Sequence, residues 1–497
     1  MEALLGLDVG TGGARALAVD AETGELLAEA AAGYPLATPR PGWTEQDPED
    51  WWQASRGVLG RVAREAGRPV AALGLTGQMH GSVFLDGGDR VIRPALLWND
   101  QRTGPQCAEI VERVGERELV AATGNPALTG FQAPKILWLR EHEPDRYARV
   151  RGVLLPKDYV RLRLCGERAT DASDASGTLL LDVRRRRWSD AVLEALEIPR
   201  EWLPDVLEGT QAAGALRPEV AEELGLPAGL PVAAGGGDNA AAAVGVGVAA
   251  PGELSSSIGT SGVLFGPTDG FAPDPSGRVH AFCHALPGAF HLMAVTLSAG
   301  GSLRWWRDAV APGTDFDALV AETDDVEPGA EGLLFLPYLT GERTPHLDPD
   351  ARGAFVGLTV RHGRPQMTRA VMEGVAFSLR DGLELMRGLG VRDDDLRAVG
   401  GGARSAAWRR LQADVFGRPV RRTVVDEGPA YGAALLAGVA AGAYRDGAEA
   451  MTRVRVRDDV TEPDPARSAR YDELYAVYRT LYEGAEAAMH RLGTLAA

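Results

Sequence analysis

Apolar and polar residues alternate along the first thirty positions of the chain. Leu5, Leu7 and Val9 alternate with small or polar residues, and the alternation resumes at Leu17 and Val19 after a glycine-rich turn. A second, polar turn follows before the next apolar stretch. Since successive side chains of a strand point to opposite faces of a sheet, this period of two predicts a β-meander at the start of the chain.

Further along, the apolar residues also recur with the three-to-four-residue period of helices. A short buried strand is expected at 71–75, ending at Gly77, and another from Val232 through three glycines into a helix near Asp238. The helices that the spacing predicts span residues 48–66, 104–117, 135–143, 366–388, 405–416, 430–442 and 467–492. Strands that alternate with helices predict an α/β fold.

The opening pattern restarts at about half the chain length. A strand at 253–258 leads into the turn 259–262, Gly-Thr-Ser-Gly, and a second strand at 263–265 precedes another polar turn. This order of strand, glycine–threonine turn, strand and polar turn repeats the order of the opening segment. An internal repeat of this size predicts two related α/β lobes.

The length of the chain supports a division into two domains. At 497 residues it exceeds what a single hydrophobic core usually holds together. Glycine and proline punctuate the segment 245–252, which is typical of a boundary. The predicted domains are therefore residues 1–246 and residues 247–497.

The distribution of charge limits the ways in which this chain can bind phosphate. It has 52 Lys+Arg and 69 Asp+Glu residues, a formal net charge of −17. Only Lys135 and Lys157 are lysines, and each follows a proline, whereas a P-loop requires a Gly-Lys-[Ser/Thr] step. Walker-type phosphate binding is therefore excluded. The acidic balance also argues against a nucleic acid or an anionic membrane as a partner, so a phosphate ligand would need backbone donors or a metal ion.

The sequence favours a cytoplasmic protein with no membrane partner. Its first eight residues lack the basic region of a signal peptide. The apolar stretch 231–250 contains Asp238 and Asn239, so a buried loop and helix is expected there rather than a membrane span. The three cysteines lie far apart without a CxxC spacing, which is typical of reduced thiols.

Two glycine–threonine turns, one in each predicted lobe, are candidate phosphate sites. Thr11 and Gly12 follow Asp8 in the first turn, and Gly259 and Thr260 lie in the second. The backbone N–H groups of such turns can form a concave anion site, and a carboxylate directly before one can hold Mg²⁺ through water. One turn alone would more often be a plain hairpin in which Asp8 bonds the local backbone. Two of them favour a nucleotide held between two lobes.

Three other segments are candidates for ligand contact, and each has a purely structural alternative. Asp238 opens a helix after a glycine run, so it fits a helix cap and a catalytic base equally well. Gly401, Gly402 and Ser405 fit an adenosine-binding turn, but also an ordinary strand–helix turn. The loop 77–81, Gly-Gln-Met-His-Gly, follows a buried strand and suits a hydroxylated ligand, although a lone histidine is more often structural.

Taken together, these segments resemble the FGGY family of carbohydrate kinases, and the resemblance covers roughly residues 4–490. The matching pieces are 6–15, 77–81, 97–102, 133–138, 156–159, 173–178, 236–239, 258–262, 282–286, 341–345, 400–405 and 427–433. Gly-Gln-Met-His-Gly, Trp-Asn-Asp and Phe-Cys-His-Ala-Leu-Pro are most similar to the members that act on D-xylulose. One departure is Gln132, where the family signature around Lys135 often has Ser, Thr or Pro.

The resemblance implies two actin-like, hexokinase-type lobes, each ribonuclease H-like, with ATP and a sugar in the cleft between them. Asp238 matches the catalytic base, and Asp8 matches the acidic residue near Mg²⁺, which it would bind through water. The remaining matches are Met79, His80, Asp238 and Asn239 for the sugar, Thr11, Gly12, Gly259 and Thr260 for the phosphates, and Gly401, Gly402 and Ser405 for adenosine.

The activity that the resemblance implies is phosphoryl transfer from Mg-ATP to the C5 hydroxyl of D-xylulose, with Asp238 accepting the proton. The expected partners are ATP and a small ketose, and a homodimer is left open. The nearest alternative is a kinase of the same family for gluconate, L-ribulose or a deoxy-ketose. A non-catalytic actin-like ATPase or sugar sensor is less favoured because Asp8, Asp238 and both turns are present. An NAD-dependent dehydrogenase is disfavoured since no GxGxxG turn opens a helix.

Overall fold

The predicted β-meander is present and belongs to the first of two large sheets. Residues 2–496 are described in a computed structural model of the protein. The strands of the first half are β1 (Ala3–Val9), β2 (Gly13–Asp20), β3 (Leu26–Gly33), β4 (Glu45–Gln46), β5 (Val70–Gly77), β6 (Val83–Leu85), β7 (Ala95–Leu96), β8 (Gly152–Leu154), β9 (Ala169–Asp171), β10 (Leu181–Asp182), β11 (Arg187–Trp188), β12 (Asp205–Leu207), β13 (Ala212–Ala215), β14 (Pro231–Ala233) and β15 (Gly236–Gly237). Its helices are α1 (Pro48–Glu65), α2 (Gly104–Val114), α3 (Glu116–Thr123), α4 (Gln132–His142), α5 (Pro144–Tyr147), α6 (Pro156–Cys165), α7 (Ala172–Ala175), α8 (Asp190–Leu196), α9 (Pro218–Leu224) and α10 (Asp238–Gly245).

The first large sheet has the strand order β13–β14–β5–β1–β2–β3, and β15 also pairs with β5. Strand β1 is antiparallel to β2 but parallel to β5, and β15 is likewise parallel to β5. Parallel strands end at the same edge of a sheet, so the chain leaves β1, β5 and β15 at one edge, which is where open α/β sheets usually bind ligands.

The second half of the chain builds another large sheet with its own helices. Its strands are β16 (Gly252–Ile258), β17 (Gly262–Thr268), β18 (His280–Cys283), β19 (Phe290–Thr296), β20 (Leu334–Leu336), β21 (Ala354–Val356), β22 (Asp393–Val399) and β23 (Val420–Arg421). Its helices are α11 (Gly300–Val310), α12 (Phe316–Ala321), α13 (Arg364–Gly388), α14 (Gly401–Arg404), α15 (Ala406–Phe416), α16 (Pro429–Ala440), α17 (Gly447–Met451) and α18 (Pro465–Ala496).

The two large sheets share one topology. The second has the order β18–β19–β17–β16–β22–β23, in which β16 is antiparallel to β17 and parallel to β22. Strands β16, β17, β19 and β22 thus occupy the places of β1, β2, β3 and β5. This correspondence confirms the predicted pair of related ribonuclease H-like lobes, while the domain boundary between residues 246 and 247 stays a prediction.

Helix α1 shows how the sequence determines a local element. Asp47 caps the helix by accepting a hydrogen bond from the Glu49 backbone N–H, and Pro48 occupies the first turn, where no N–H is needed. The apolar side of the helix packs on β2 and β3 and includes the buried Trp51 and Leu59. Each large apolar side chain buried in this way contributes about 1.5–3 kcal/mol.

Most predicted helices are confirmed, with differences at their ends that have local causes. The helix predicted at 104–117 ends at Val114, because Gly115 adopts a φ of +87° and α3 begins after it. The helix predicted at 135–143 begins earlier, at Gln132, since Pro134 is tolerated in a first helical turn.

Helix α16 comes from the second half of the chain but packs on the first sheet, across β1 and β5. Glycines make this approach possible. A Cβ atom on Gly6 or Gly74 would lie 1.8 or 1.9 Å from a carbonyl oxygen of α16. Helix α10 crosses α16 in the same way, because a Cβ atom on Gly432 would lie 1.8 Å from the carbonyl oxygen of Ala241. The two halves of the chain are therefore joined by a close helix crossing as well as by the covalent chain.

Within residues 2–496, no helix is long and apolar enough to cross a membrane.

Candidate active site

The carboxyl edge of the first sheet brings the residues of the predicted sugar site close together. Asp8 pairs in register with Thr76 of β5, and Gly236 pairs with the same residue from the other side. Three neighbouring strands therefore end at the same level. They carry Asp8, the loop that follows Gly77, and Asp238. The parallel pairing is the reason that residues far apart in sequence meet here.

Asp8 has an unsatisfied carboxylate oxygen. Its Oδ1 atom is buried without a hydrogen-bond partner among the described residues, so it does not cap the local turn as a plain hairpin would require. Burial, with the charges of Asp238 and Glu427, raises the pKa of Asp8 well above its ordinary value. Asp238 and Glu427 thus lie close enough to Asp8 for their charges to act on it.

Asp238 is the first residue of α10, and its carboxylate does not act as the N-cap, a position that Gly237 occupies. Its Oδ1 atom accepts hydrogen bonds from the backbone N–H of Asn239, at 2.7 Å, and from Nδ2 of the same residue, at 2.9 Å. Burial raises the pKa of Asp238 to about 6 against the effect of these two bonds. Of the two alternatives open at the level of sequence, the N-cap position belongs to Gly237, and the role of Asp238 as a base stays a prediction.

Met79 lies against Gly237, the residue before Asp238, and His80 follows it in the same loop. Gly237 faces Met79 so closely that a Cβ atom on the glycine would lie 2.9 Å from the Met79 side chain. His80 adopts a φ of +68°. Its Nδ1 atom lies 2.6 Å from the carbonyl oxygen of Gly177. Since a carbonyl oxygen can only accept, Nδ1 carries the proton and donates this hydrogen bond. Burial lowers the pKa of His80 to about 3, so the imidazole is neutral and its other nitrogen can accept a hydrogen bond.

The first glycine–threonine turn is connected to this sugar side. The Thr11 hydroxyl donates to Gln78 Oε1 at 3.1 Å and accepts from the Trp98 indole N–H at 2.9 Å. The resemblance predicts that Thr11 contacts phosphate. In this structure its hydroxyl also fixes the side chain of Gln78, the residue before Met79. A Cβ atom on Gly12 would meet no heavy atom within 4 Å, so there is open space beside the turn at this position.

The turns of the second lobe form a corresponding edge. Strands β16 and β22 are parallel, with Ser257 in register with Val399, so Gly259 and Gly401 follow neighbouring strand ends. Gly402 packs against Ile258, where a Cβ atom would lie 2.6 Å from the isoleucine Cβ. Gly259 and Thr260 are exposed. Ser405 caps α15 by accepting the Trp408 N–H at 3.5 Å, so it has a structural role whether or not it meets adenosine.

One cavity of about 310 Å³ is lined from both lobes. Asp238 and Asn239 line it from the first lobe, and Ser257 and Gly400 line it from the second. Glu427, just before α16, is also part of its wall. Of the predicted residues, only Asp238 and Asn239 line this cavity. Thr11, Gly12, Gly259, Thr260, Gly401, Gly402 and Ser405 lie outside its lining.

The residues around Asp8 fit a magnesium ion bound together with phosphates. Within residues 2–496 no group of three or more His, Cys, Asp or Glu side chains is arranged to hold a metal by itself. Magnesium rarely needs such a group, because it keeps several waters and takes one or two carboxylates plus substrate phosphates. The unpartnered Oδ1 of Asp8 and the nearby Asp238 meet that requirement.

Both lysines are fully buried next to this site. The Lys135 ammonium donates to three backbone carbonyl groups, those of His80 at 3.1 Å, Phe131 at 3.0 Å and Gly130. Lys157 instead contacts three carboxylates. An ammonium has three N–H donors that point in tetrahedral directions, which suits three converging oxygens better than the planar fork of arginine. This geometry favours lysine at position 135. Around Lys157, three carboxylate oxygens lie within 3.0 Å, and the one of Asp158 is in hydrogen-bonding geometry.

The interpretation of the sequence missed two charged residues near the site. Glu427 pairs with Arg15 at 3.0 Å and acts on Asp8, and Arg343 contributes to lowering the pKa of both His80 and His280. Both residues lie in segments that match the family, 427–433 and 341–345. Sequence spacing could not connect them with Asp8 or His80, because they come from the other half of the chain.

Comparisons with known proteins agree with this architecture. The FGGY family of carbohydrate kinases, N-terminal domain, matches residues 3–245, and its C-terminal domain matches residues 254–441. A xylulose kinase from Escherichia coli is 44% identical over 481 residues, 96% of this chain and 98% of that protein. A crystal structure of a "xyloylose kinase" from Brucella ovis is 41% identical with a TM-score of 0.92 and covers 98% of this chain and 100% of its own. A gluconate kinase structure from Lactobacillus acidophilus is 26% identical with a TM-score of 0.94, covering 99% of each chain.

Proposed function

This chain belongs to the FGGY family of carbohydrate kinases, and on that premise we propose that it transfers the γ-phosphoryl group of ATP to the C5 hydroxyl of D-xylulose. The observation that carries the proposal is the convergence of Asp8, Asp238, Met79 and His80 at one edge of the first sheet. The relative from Escherichia coli, at 44% identity over nearly the full length, is a xylulose kinase.

Asp238 acts as the general base in this proposal. Its carboxylate accepts the proton of the C5 hydroxyl while the oxygen attacks the γ-phosphorus in line, and ADP leaves. A carboxyl group with a pKa of about 6 is mostly ionised at neutral pH and is a stronger base than an ordinary aspartate. Asn239 holds one carboxylate oxygen by two hydrogen bonds, so the other oxygen is free to meet the hydroxyl.

The neutral His80 and Met79 bind and orient the ketose. A buried imidazole that donates through Nδ1 presents Nε2 as an acceptor for a sugar hydroxyl, without a charge that would need compensation. Met79 packs against Gly237 and supplies an apolar wall. Orienting one hydroxyl against the phosphorus contributes much of the rate enhancement expected of such an enzyme.

The glycine–threonine turns bind the phosphates of ATP through backbone N–H groups, in keeping with the acidic net charge. Gly401 and Gly402, beside the second turn, receive the adenosine. Asp8 holds Mg²⁺ through water. When bound, the ion neutralises negative charge on the phosphate oxygens.

The replacement Asp238→Asn tests the proposal directly. The amide cannot accept the hydroxyl proton, so we expect kcat to fall by about 10²–10⁴-fold, while ATP binding measured by calorimetry stays largely intact. Asp190→Asn is a matched control, because Asp190 is also the first residue of a helix, α8, but is exposed and outside the site. Turnover close to that of the unmodified enzyme in Asp238→Asn would disprove the role of this carboxylate.

Gluconate is the second candidate substrate, and the charge of Arg343 is the observation that favours it. A guanidinium near His80 could pair with the carboxylate of gluconate. An ADP-release assay with D-xylulose, L-ribulose, a deoxy-ketose and gluconate separates the candidates. We expect the highest kcat/KM with D-xylulose. Preference for gluconate would reassign the substrate, and no ADP release with any sugar would favour a non-catalytic sensor.

A further inference from the structure

A closed cluster of five charged side chains lies next to the segment 234–238, which ends at Asp238. The Lys157 ammonium is 2.7 Å from carboxylate oxygens of Asp158 and Asp171 and 3.0 Å from one of Asp174. Arg161 is 2.7 Å from Asp158. All five side chains have no solvent exposure.

The cluster joins two cations to three carboxyl groups. Burial raises the pKa of Asp174 well above its ordinary value. Lys157 lies close to the carboxyl groups of Asp158, Asp171 and Asp174, and Arg161 pairs with Asp158. Buried ion pairs of this kind contribute little net stability compared with apolar packing, so their presence points to a requirement for fixed geometry.

A short chain of hydrogen bonds leads from this cluster to Asp238. Asp171 Oδ1 accepts from the Ser173 hydroxyl at 2.5 Å, which leaves the serine oxygen as an acceptor. The backbone N–H of Gly237 donates to that same oxygen at 3.1 Å. Gly237 directly precedes Asp238, so Ser173 joins the cluster to the peptide that carries the catalytic aspartate. Arg161 of the same cluster also donates to the carbonyl group of Ala234, three residues before Gly237.

We propose that Ser173, supported by the Lys157 cluster, is a positioning residue that fixes the Gly237 backbone and thereby the direction of the Asp238 carboxylate. The loop needs such support because its glycines impose little conformational restriction of their own. The pairing of β15 with β5 adds only limited support, since β15 has two residues. This inference rests on the proposed role of Asp238 as the base.

Ser173→Ala removes the hydrogen bond between the Ser173 hydroxyl and the Gly237 backbone. It deletes one hydroxyl and leaves the ion cluster paired, so the protein is expected to fold. Because a small displacement of a catalytic group costs up to about 10²-fold in rate, we expect kcat to fall at least about tenfold. The KM for ATP should stay within about twofold, since the nucleotide turns belong to other elements.

Ser176→Ala is the matched control. Ser176 lies three residues further along the same segment, is equally buried, and accepts the Cys283 N–H at 3.0 Å without contacting Gly237. Thermal unfolding of both variants measures the loss of stability, which we expect to be similar. Steady-state kinetics then compare their kcat values, and Ser176→Ala should remain within about twofold of the unmodified enzyme.

The results separate a positioning role from a structural one. A fall in kcat for Ser173→Ala alone supports the inference, and equal kcat in the two variants, or equal losses in both, overturns it. The kinetics use whichever sugar of the ADP-release panel gives the highest turnover, so a wrong substrate leaves the comparison valid. If Asp238→Asn retains activity, the proposed role of Asp238 as the base fails. That outcome is measured on a different variant from Ser173→Ala, so the two failures can be told apart.

Discussion

The two lysines differ from the fifty arginines of this chain in what their side-chain nitrogens contact. Each ammonium is enclosed by three oxygen atoms and has no solvent exposure. Lys135 supports the backbone of His80, and Lys157 supports the cluster behind Asp238. The loop around His80 and the segment before Asp238 are thus each supported by a buried lysine, one through carbonyl groups and one through carboxylates.

Replacing Lys135 by arginine tests whether the ammonium shape is required. A planar guanidinium cannot direct three donors at the carbonyl groups of Gly130, Phe131 and His80 without moving them, so we expect a loss of about 1–3 kcal/mol in stability. The KM for the sugar should rise as His80 shifts. Chemical denaturation and steady-state kinetics measure the two effects.

Lys157→Arg is the companion variant and should behave similarly, because its ammonium also meets three oxygens. The exposed Arg90→Lys is the control, since no enclosed geometry depends on it. Unchanged stability and activity in both lysine variants would mean that lysine occurs at these positions by coincidence.

The proposed role of Asp238 as the base predicts how the reaction depends on pH. Burial raises its pKa to about 6, and the base must be ionised to accept a proton. As pH falls through this value the active carboxylate is lost, so kcat/KM should decrease with an apparent pKa of about 6. Measuring kcat/KM from about pH 3.5 to 8 at constant ionic strength tests this. An acid limb near pH 4, typical of an ordinary aspartate, would contradict the buried environment assigned to this group.

Individual site residues were predictable only in part from the sequence. The glycine runs identified the turns around Asp8 and Asp238, because glycine-rich turns have a local signature. The unpartnered oxygen of Asp8, the buried surroundings of Lys135 and the contribution of Glu427 depend on distant segments. No local pattern specifies such contacts.

At the level of elements, helix α16 carries the connection between the halves of the chain. Its sequence predicted a helix correctly, and the structure confirms one at Pro429–Ala440. That α16 lies on β1 and β5 could not be predicted, because the information is in the glycines of its partners. Gly6 and Gly74 can be recognised as docking positions only when the helix is placed on them.

Gly432→Ala should therefore weaken the crossing of α16 with α10. The new Cβ atom would overlap the carbonyl oxygen of Ala241, a backbone atom that cannot rotate away, so we expect a loss of about 3 kcal/mol. Gly57→Ala, in the exposed part of α1 with no atom nearby, should instead be neutral or stabilise by up to about 1 kcal/mol. Urea denaturation of the pair measures both. Equal effects would show that the crossing is not tightly packed.

At the scale of the whole molecule, the repeated sheet order was predictable because the turn pattern repeats in sequence. The cavity between the lobes was not, since Asp238 and Ser257 are brought together only by the packing of the two halves. Because this cavity is lined from both sides, ligands that contact both lobes should draw them together.

We therefore expect D-xylulose with a non-hydrolysable ATP analogue to reduce the radius of gyration measured by small-angle X-ray scattering. A compact chain of this length has a radius of about 23 Å, and closure should lower it by a few per cent. Each ligand alone provides the control and should give a smaller change. No change with both ligands would indicate that the lobes are already closed.

The burial of both lysines also affects how this protein reacts with its surroundings. Primary amines are the side chains that acylating reagents and reducing sugars modify, and the lysines of this chain have no exposure. Arginine, which supplies the remaining cations, is far less nucleophilic because its guanidinium stays protonated. An open-chain ketose condenses with a free amine, so the proposed substrate is itself a glycating agent. The folded enzyme offers it no lysine amine to attack.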